Sequence, residues 1–233
     1  MKHFYVFYDR VLFYVKNRRM PYRIRLIIAI FKFFKYKPIK CLKYFGQMWA
    51  GDILLSSIEL FMFGEETLRD AVEVGKNLNV KPFLLYGTLL GYVREGSFIK
   101  HDFDIDLGLL EEDFKRKDEI KEALLKRGYY IRIDNEFELS FIHPRSKSLF
   151  LDFWRVYNKN EQAFISLYSD DNETRYDYNF PIDIFSEFLS VEFMNVMDVW
   201  IPSKAEKFLE VSYGDWKTPQ KEFDYVKDHT NLL

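Results

Sequence analysis

The sequence predicts an α+β fold in which a β-sheet is flanked by helices and preceded by a basic, aromatic helical extension. Three observations carry that prediction. Around residues 102–109, Asp102, Asp104 and Asp106 alternate with Phe103, Ile105 and Leu107, the period of a strand. Further alternating or apolar runs follow between residues 129 and 201. Segments with apolar residues at helical spacing stand before and between these runs.

Taken in order, Leu68, Val72, Gly75 and Leu78 recur at helical spacing and predict a helix over 66–79. Pro82 then fixes the start of a short strand, 83–86, and a helix begins at the Gly87 turn, covering 88–93. The aspartate strand spans 103–109. A charged helix follows over 112–127, stopped by Gly128 as a C-cap. Strands are predicted at 129–133, 137–143, 148–157 and 163–168. Asp170, Asp171, Asn172 and Pro181 predict a long loop over 169–182. A strand pair at 190–201 precedes a helix to about Val211, with Ser203 as its N-cap.

The chain has 233 residues, enough for one substantial core, and 19% of them are aromatic. Charged residues make up 30%, which argues against disorder. One cysteine, Cys41, excludes an internal disulfide. No zinc-ligand spacing of the C-x-x-C or H-E-x-x-H kind occurs. The net charge of −2 hides an asymmetry. Residues 1–50 hold 12 Lys and Arg against Asp9 alone, a net of +11, so the remainder carries −13. The expected organisation is therefore an extension, 1–50, and a separate domain, 51–233.

Chemistry concentrates at the aspartate strand. Asp102, Asp104 and Asp106 project from one face and repel one another. A hard divalent cation with oxygen ligands would offset that repulsion, whereas a solvated acidic edge strand is the plainer alternative. The preceding Gly87-Thr88 turn lets backbone N–H groups approach phosphate oxygens. Asp152 stands in the run Ser148-Leu-Phe-Leu-Asp-Phe-Trp154, too apolar to tolerate an unpaired carboxylate. A metal would satisfy it, and so would a salt bridge to Arg155 or Lys147.

The run from Gly87 through Arg94 and Asp102-Phe-Asp-Ile-Asp106 to Gly108 resembles the LicD/fukutin-related family, a branch of the nucleotidyltransferase superfamily. Pro202, Phe208-Leu-Glu210 and Tyr213-Gly-Asp-Trp-Lys-Thr-Pro219 resemble that family's C-terminal signature. Family members often carry Trp-Asp before D-x-D, where this chain has His101-Asp102. The resemblance implies a mixed sheet of the nucleotidyltransferase type. It implies metal ligation by Asp104 and Asp106, with Asp152 the candidate third carboxylate on a neighbouring strand. Magnesium or manganese is the implied cofactor. Gly87, Thr88, Arg94 and Lys100 are the candidate phosphate-binding residues. Asp102, His101, Tyr213 and Trp216 are further candidates, the last two for stacking on a base or enclosing a choline-like cation.

The implied reaction is metal-dependent transfer of a phospho-alcohol, phosphocholine-like, from a CDP-linked donor to a hydroxyl of a cell-surface glycan or its lipid-linked precursor. CDP-ribitol or CDP-glycerol as donor, nucleotidyl transfer, and a non-catalytic scaffold are the alternatives. In the extension, basic residues mixed with bulky aromatics suit a helix lying on an anionic membrane surface. The longest uncharged apolar run there, Leu26 to Phe31, is too short to span a bilayer. A cytoplasmic protein, peripheral at the inner membrane face and with no nucleic-acid partner, is the resulting expectation.

Overall fold

The computed structural model describes residues 52–100, 102–168, 174–219 and 229–232. The extension, 1–50, and His101 lie outside these, as do Cys41 and residues 169–173. A mixed sheet is flanked by helices. Its strands are β1 (Phe83–Leu84), β2 (Asp104–Leu110), β3 (Tyr130–Asp134), β4 (Glu138–Ile142), β5 (Phe150–Lys159), β6 (Gln162–Tyr168), β7 (Arg175–Pro181), β8 (Phe188–Phe193) and β9 (Val196–Pro202), in the order β3-β4-β5-β2-β1-β9-β8, with β6 and β7 continuing from β5. Strands β2 (Asp104–Leu110) and β5 (Phe150–Lys159) run parallel, as do β1 (Phe83–Leu84) and β9 (Val196–Pro202). The remaining pairs are antiparallel, including β3 (Tyr130–Asp134) with β4 (Glu138–Ile142) and β4 with β5.

The alternation in β2 sorts its two faces. Ile105, Leu107 and Leu109 are at most 1% exposed and share a face with Leu139, Phe141, Leu151 and Phe153. Helix α1 (Asp52–Leu78) covers that face, with Leu60, Phe63, Leu68, Ala71 and Val72 in its apolar stripe. Tyr129 joins the two layers: its ring meets Phe141 and its hydroxyl donates to Asp70 of α1. The predicted helix over 66–79 thus starts earlier, at Asp52, because its apolar stripe continues upstream through Phe63 and Leu60.

The charged helix of 112–127 is two helices, α3 (Glu111–Phe114) and α4 (Lys117–Lys126), and Gly128 follows in the left-handed region at φ 89°. Helix α2 (Tyr86–Glu95) begins two residues before the predicted start and shortens β1. The loop expected over 169–182 is corrected from residue 175 onward. Arg175–Pro181 is strand β7, paired along its length with β6 (Gln162–Tyr168). Tyr178 and Phe180 are both 1% exposed and supply the apolar side of an alternation with Asp177 and Asn179. Pro181 ends the strand, where its missing N–H is tolerated. A 3₁₀ turn, Ile182–Phe185, leads to β8 (Phe188–Phe193). The β8–β9 hairpin turns at Met194 and Asn195, both with positive φ, the signature of a tight I′-type turn. Helix α5 spans Ala205–Tyr213. Ser203 does not cap it: its N–H instead donates to Glu187 O.

Residues 229–232 add to β7. Asn231 exchanges backbone and side-chain hydrogen bonds with Asn179, and Leu232 bridges Tyr178. His229 thereby packs among the rings of Tyr86, Tyr178 and Tyr213, at centroid distances of 5.5, 5.1 and 5.2 Å.

Candidate active site

Parallel pairing of β2 with β5 puts Asp106 directly beside Asp152, on the face opposite Ile105 and Leu107. Asp104 precedes Asp106 by two residues on that same face. One carboxylate oxygen from each of Asp104, Asp106 and Asp152 lies within 4.8 Å of the others. Asp106 is 8% exposed and Asp152 3%. Burial, followed by the charges of Asp106 and Asp102, holds the Asp104 carboxyl well above the ordinary range. Burial and the Asp152 charge do the same to Asp106. Asp152 is raised to about 6 by burial, opposed by a hydrogen bond from Ser140 and by the Arg132 charge. Asp102 is raised as well, by burial, and its carboxyl pairs with that of Asp104. Each of these shifts says that the site disfavours four bare negative charges.

The surrounding elements hold the carboxylates in place. Trp154 Nε1 donates to Asp106 Oδ1 at 2.9 Å, and the Gly87 N–H also faces the Asp106 carboxylate. Thr88 Oγ1 accepts from the Asp106 backbone N–H at 2.9 Å. Ser140, opposite Asp152 on β4, donates to Asp152 Oδ1. Arg132 Nη1 donates to Ser140 Oγ at 3.2 Å and lies 3.7 Å from Glu138 and 3.8 Å from Asp152. Its guanidinium sits over the Phe150 ring, 4.3 Å from the centroid. The salt bridge weighed for Asp152 is absent: Arg155 instead pairs with Glu111 at 2.7 Å.

The expected phosphate-binding residues are not brought together. Thr88 is 1% exposed and joins α2 to β2 through its hydroxyl. Arg94 lies seven residues along α2 from Gly87, about 10 Å by helical rise. There it donates to Trp216 O at 3.2 Å and pairs with Glu95 at 3.0 Å. Lys100 is exposed on the turn before β2. Tyr213 packs on His229, and Lys217 lies over the Trp216 ring at 5.1 Å. At Gly87 the lack of a side chain has a visible cause at the site. A Cβ there would fall 2.5 Å from Asp102 Oδ2. Gly87→Ala is therefore expected to displace Asp102 and weaken manganese binding about tenfold, with melting changed little. Calorimetric titration of manganese checks this, and unchanged affinity would show that the Asp102 position is immaterial.

Arg132, Glu138, Ser140 and Trp154 escaped the sequence reading. Glu138 and Ser140 alternate with buried Leu139 and Phe141, a usable signal, but only the β4–β5 register assigns them to the acidic face. The Glu138 carboxyl is pushed up to about 8, by burial first and then by the Asp152 charge.

A helix N-terminus over buried carboxylates on adjacent parallel strands is an arrangement suited to metal-bound phosphates. The LicD/FKTN/FKRP nucleotidyltransferase domain matches residues 79–204, and this chain belongs to that family. Among curated proteins it is similar to the human "Ribitol-5-phosphate transferase FKTN", at 24% identity over 206 residues, covering 85% of this chain and 42% of that protein. It is also similar to the mouse "Ribitol 5-phosphate transferase FKRP", at 27% over 156 residues, covering 64% and 31%. The chain spans less than half the length of these relatives. Among solved structures, lincosamide antibiotic adenylyltransferase LnuA aligns with a TM-score of 0.43 and 17% identity, covering 64% of this chain and 87% of that one. ANT(2")-Ia in complex with adenylyl-2"-tobramycin aligns at 0.44 and 14%, covering 70% and 82%.

Proposed function

We propose that this domain transfers the phosphate of a small alcohol from a CDP-linked donor to a hydroxyl of a glycan or glycolipid, using a divalent cation held by Asp104, Asp106 and Asp152. The observation that carries it is the set of three carboxylate oxygens within 4.8 Å of one another on adjacent strands. Oxygens sharing one hard cation at about 2.0–2.6 Å lie at most about 4–5 Å apart, so the set fits such an ion. An all-oxygen site favours magnesium or manganese over zinc. The raised carboxyls fit too, since a cation would compensate charges that burial penalises.

Bound there, the cation would neutralise the donor diphosphate and stabilise the departing CMP. The chain's own groups would do the rest. The N-terminus of α2, with the Gly87 N–H at its head, favours negative charge at the donor phosphate. Asp152, which the cation would keep ionised, would accept the proton of the attacking hydroxyl. Ser140 and Arg132 fix its orientation. The hydroxyl oxygen forms a bond to the phosphorus bearing the alcohol as the diphosphate bond breaks.

Ribitol 5-phosphate is the favoured group, because the similar proteins named above carry it in their names. Phosphocholine is the second reading. Of the rings it would use, Tyr213 feels the charges of Asp106, Asp102 and Asp104 and packs on His229, while Trp216 carries Lys217 over its ring. Incubating the protein with CDP-ribitol, CDP-glycerol and CDP-choline and measuring CMP tests the reading. Release from CDP-ribitol that stops on chelation is expected. No release from any CDP-alcohol with either metal would favour a scaffold.

For residues 1–50 we propose contact with an anionic membrane surface at the inner face. No helix among the described residues is long and apolar enough to cross a membrane. A chain starting at Gly51 should lose co-sedimentation with anionic vesicles at low salt yet retain activity on a soluble acceptor. Each lost basic residue accounts for about 1 kcal/mol near such a surface. The cut belongs at Gly51, because starting at Gly64 would strip Leu60 and Phe63 from the core. Vesicle binding that survives the cut would move the membrane contact to the catalytic domain.

A further inference from the structure

We propose that the Tyr86 hydroxyl is a substrate-binding group of this site, donating a hydrogen bond to an oxygen of a metal-bound diphosphate. The proposal rests on the reading of the acidic cluster as a cation and phosphate site, and three separate observations on Tyr86 lead to it.

The first is backbone strain. Tyr86 opens α2 with φ at 40°, in the left-handed region that a bulky L-residue rarely adopts. Such a conformation persists where the surroundings over-determine it, and it clusters at ligand-binding positions. The residue after it, Gly87, faces Asp102 and Asp106.

The second is an unmet hydrogen bond. The Tyr86 hydroxyl is shut away from solvent and has no partner. Buried phenols ordinarily find one, and leaving a buried polar group unpaired is costly. The ring cannot easily swing to find a partner. It is held edge-on by Trp154, Phe208 and His229, at centroid distances of 6.3, 5.5 and 5.5 Å.

The third is position. Trp154, against which the ring packs, also donates its Nε1–H to Asp106. Burial, and after it the neighbouring Tyr178 and Asp106, keeps the phenol protonated far above neutral pH. A buried phenol packed on the tryptophan that holds Asp106, protonated and unpartnered, is a donor without an acceptor. The anionic oxygen of a diphosphate bound at the cluster supplies one, and a charge-assisted hydrogen bond of that kind is among the stronger ones.

The test is Tyr86→Phe in the full chain, read three ways. The probes are manganese alone, manganese with inorganic pyrophosphate, and CDP-ribitol turnover. The metal-free variant should melt at the same temperature as the wild type or higher, because the change removes an unpaired buried hydroxyl. Its affinity for manganese alone should be unchanged. Its affinity for pyrophosphate in the presence of manganese should fall about tenfold or more, the loss expected for a hydrogen bond to a charged group. Pyrophosphate affinity equal to wild type within twofold would overturn the proposal and leave the hydroxyl to an ordered water. So would a variant that melts several degrees lower, since the hydroxyl would then have a structural partner. So would a wild type that binds no pyrophosphate with manganese. Wild type that binds pyrophosphate through Tyr86 but releases no CMP from CDP-ribitol would remove the donor assignment and leave this inference standing.

Discussion

Asp106→Asn is expected to lower transfer by about a thousandfold or more while raising the melting temperature of the metal-free protein. The two effects share one cause. Asp106 is 8% exposed, stands beside Asp152 on the next strand, and has its carboxyl held well above the ordinary range by burial and by that neighbour's charge. An amide keeps an oxygen for the Trp154 Nε1–H and removes one of the mutually repelling charges. It is also a far poorer ligand for a hard cation. Several kcal/mol of charge stabilisation at the phosphate would be lost, and each 1.4 kcal/mol or so is a factor of ten in rate. Asp104→Asn should behave alike, since burial and the charges of Asp106 and Asp102 raise its carboxyl. Enzyme assay and thermal melting of the same sample check both halves. A variant that loses activity and also melts several degrees lower would mark Asp106 as a structural group.

The second large effect is on pH dependence. Without metal, the protein should lose stability as pH rises from 6.5 to 8, by an amount on the order of 5 °C in melting temperature. Glu138 titrates at about 8 when folded, and Asp104 and Asp106 are raised well above their ordinary range. All three titrate near 4 when the chain is unfolded. In that window the folded state therefore binds more protons than the unfolded state, so stability declines as pH increases. The contribution is fully present below the unfolded values and disappears as pH passes through the folded ones. His143 acts in the opposite sense. Burial lowers it to about 4, so its contribution is present above about 6.5 and is lost on further acidification. The window from 6.5 to 8 isolates the carboxyls. Saturating manganese should weaken the dependence there, because the cation holds Asp104, Asp106 and Asp152 ionised and leaves Glu138 to titrate. Melting curves at four pH values, with and without manganese, would show it. A flat metal-free profile would mean that the carboxyls are not strained by their surroundings.

How much was legible follows from what each signal depends on. Strand β2 declared itself because an alternation of carboxylates with Ile and Leu has one sensible conformation, and that conformation fixes both faces at once. Asp152 stood out because a lone carboxylate in an apolar run requires a partner. Its actual supporters, Ser140 and Arg132, could not be assigned to it, because strand pairing between residues 12 or more apart leaves no local mark. Strand β7 was obscured by its surroundings. Asp170, Asp171, Asn172 and Pro181 are turn-forming residues, yet Tyr176, Tyr178 and Phe180 between them carry a strand's period. Thr88 and Arg94 share a conspicuous motif with Gly87, and proximity in sequence suggested a shared ligand. The helix that begins at Tyr86 separates them: Thr88 turns into the core and Arg94 is carried two turns away. Tyr86 read as the end of a strand, and only the structure exposes its strained φ and unmet hydroxyl.

The most direct test of the central claim is manganese binding, followed by electron paramagnetic resonance at pH 7.5, in the wild type and in Asp106→Asn. If Asp104, Asp106 and Asp152 form the cation site, the free-manganese signal should fall on adding wild-type protein. Magnesium in excess should restore it, and Asp106→Asn should leave it unchanged. Equal manganese uptake by the two proteins would contradict the account and place the cation elsewhere.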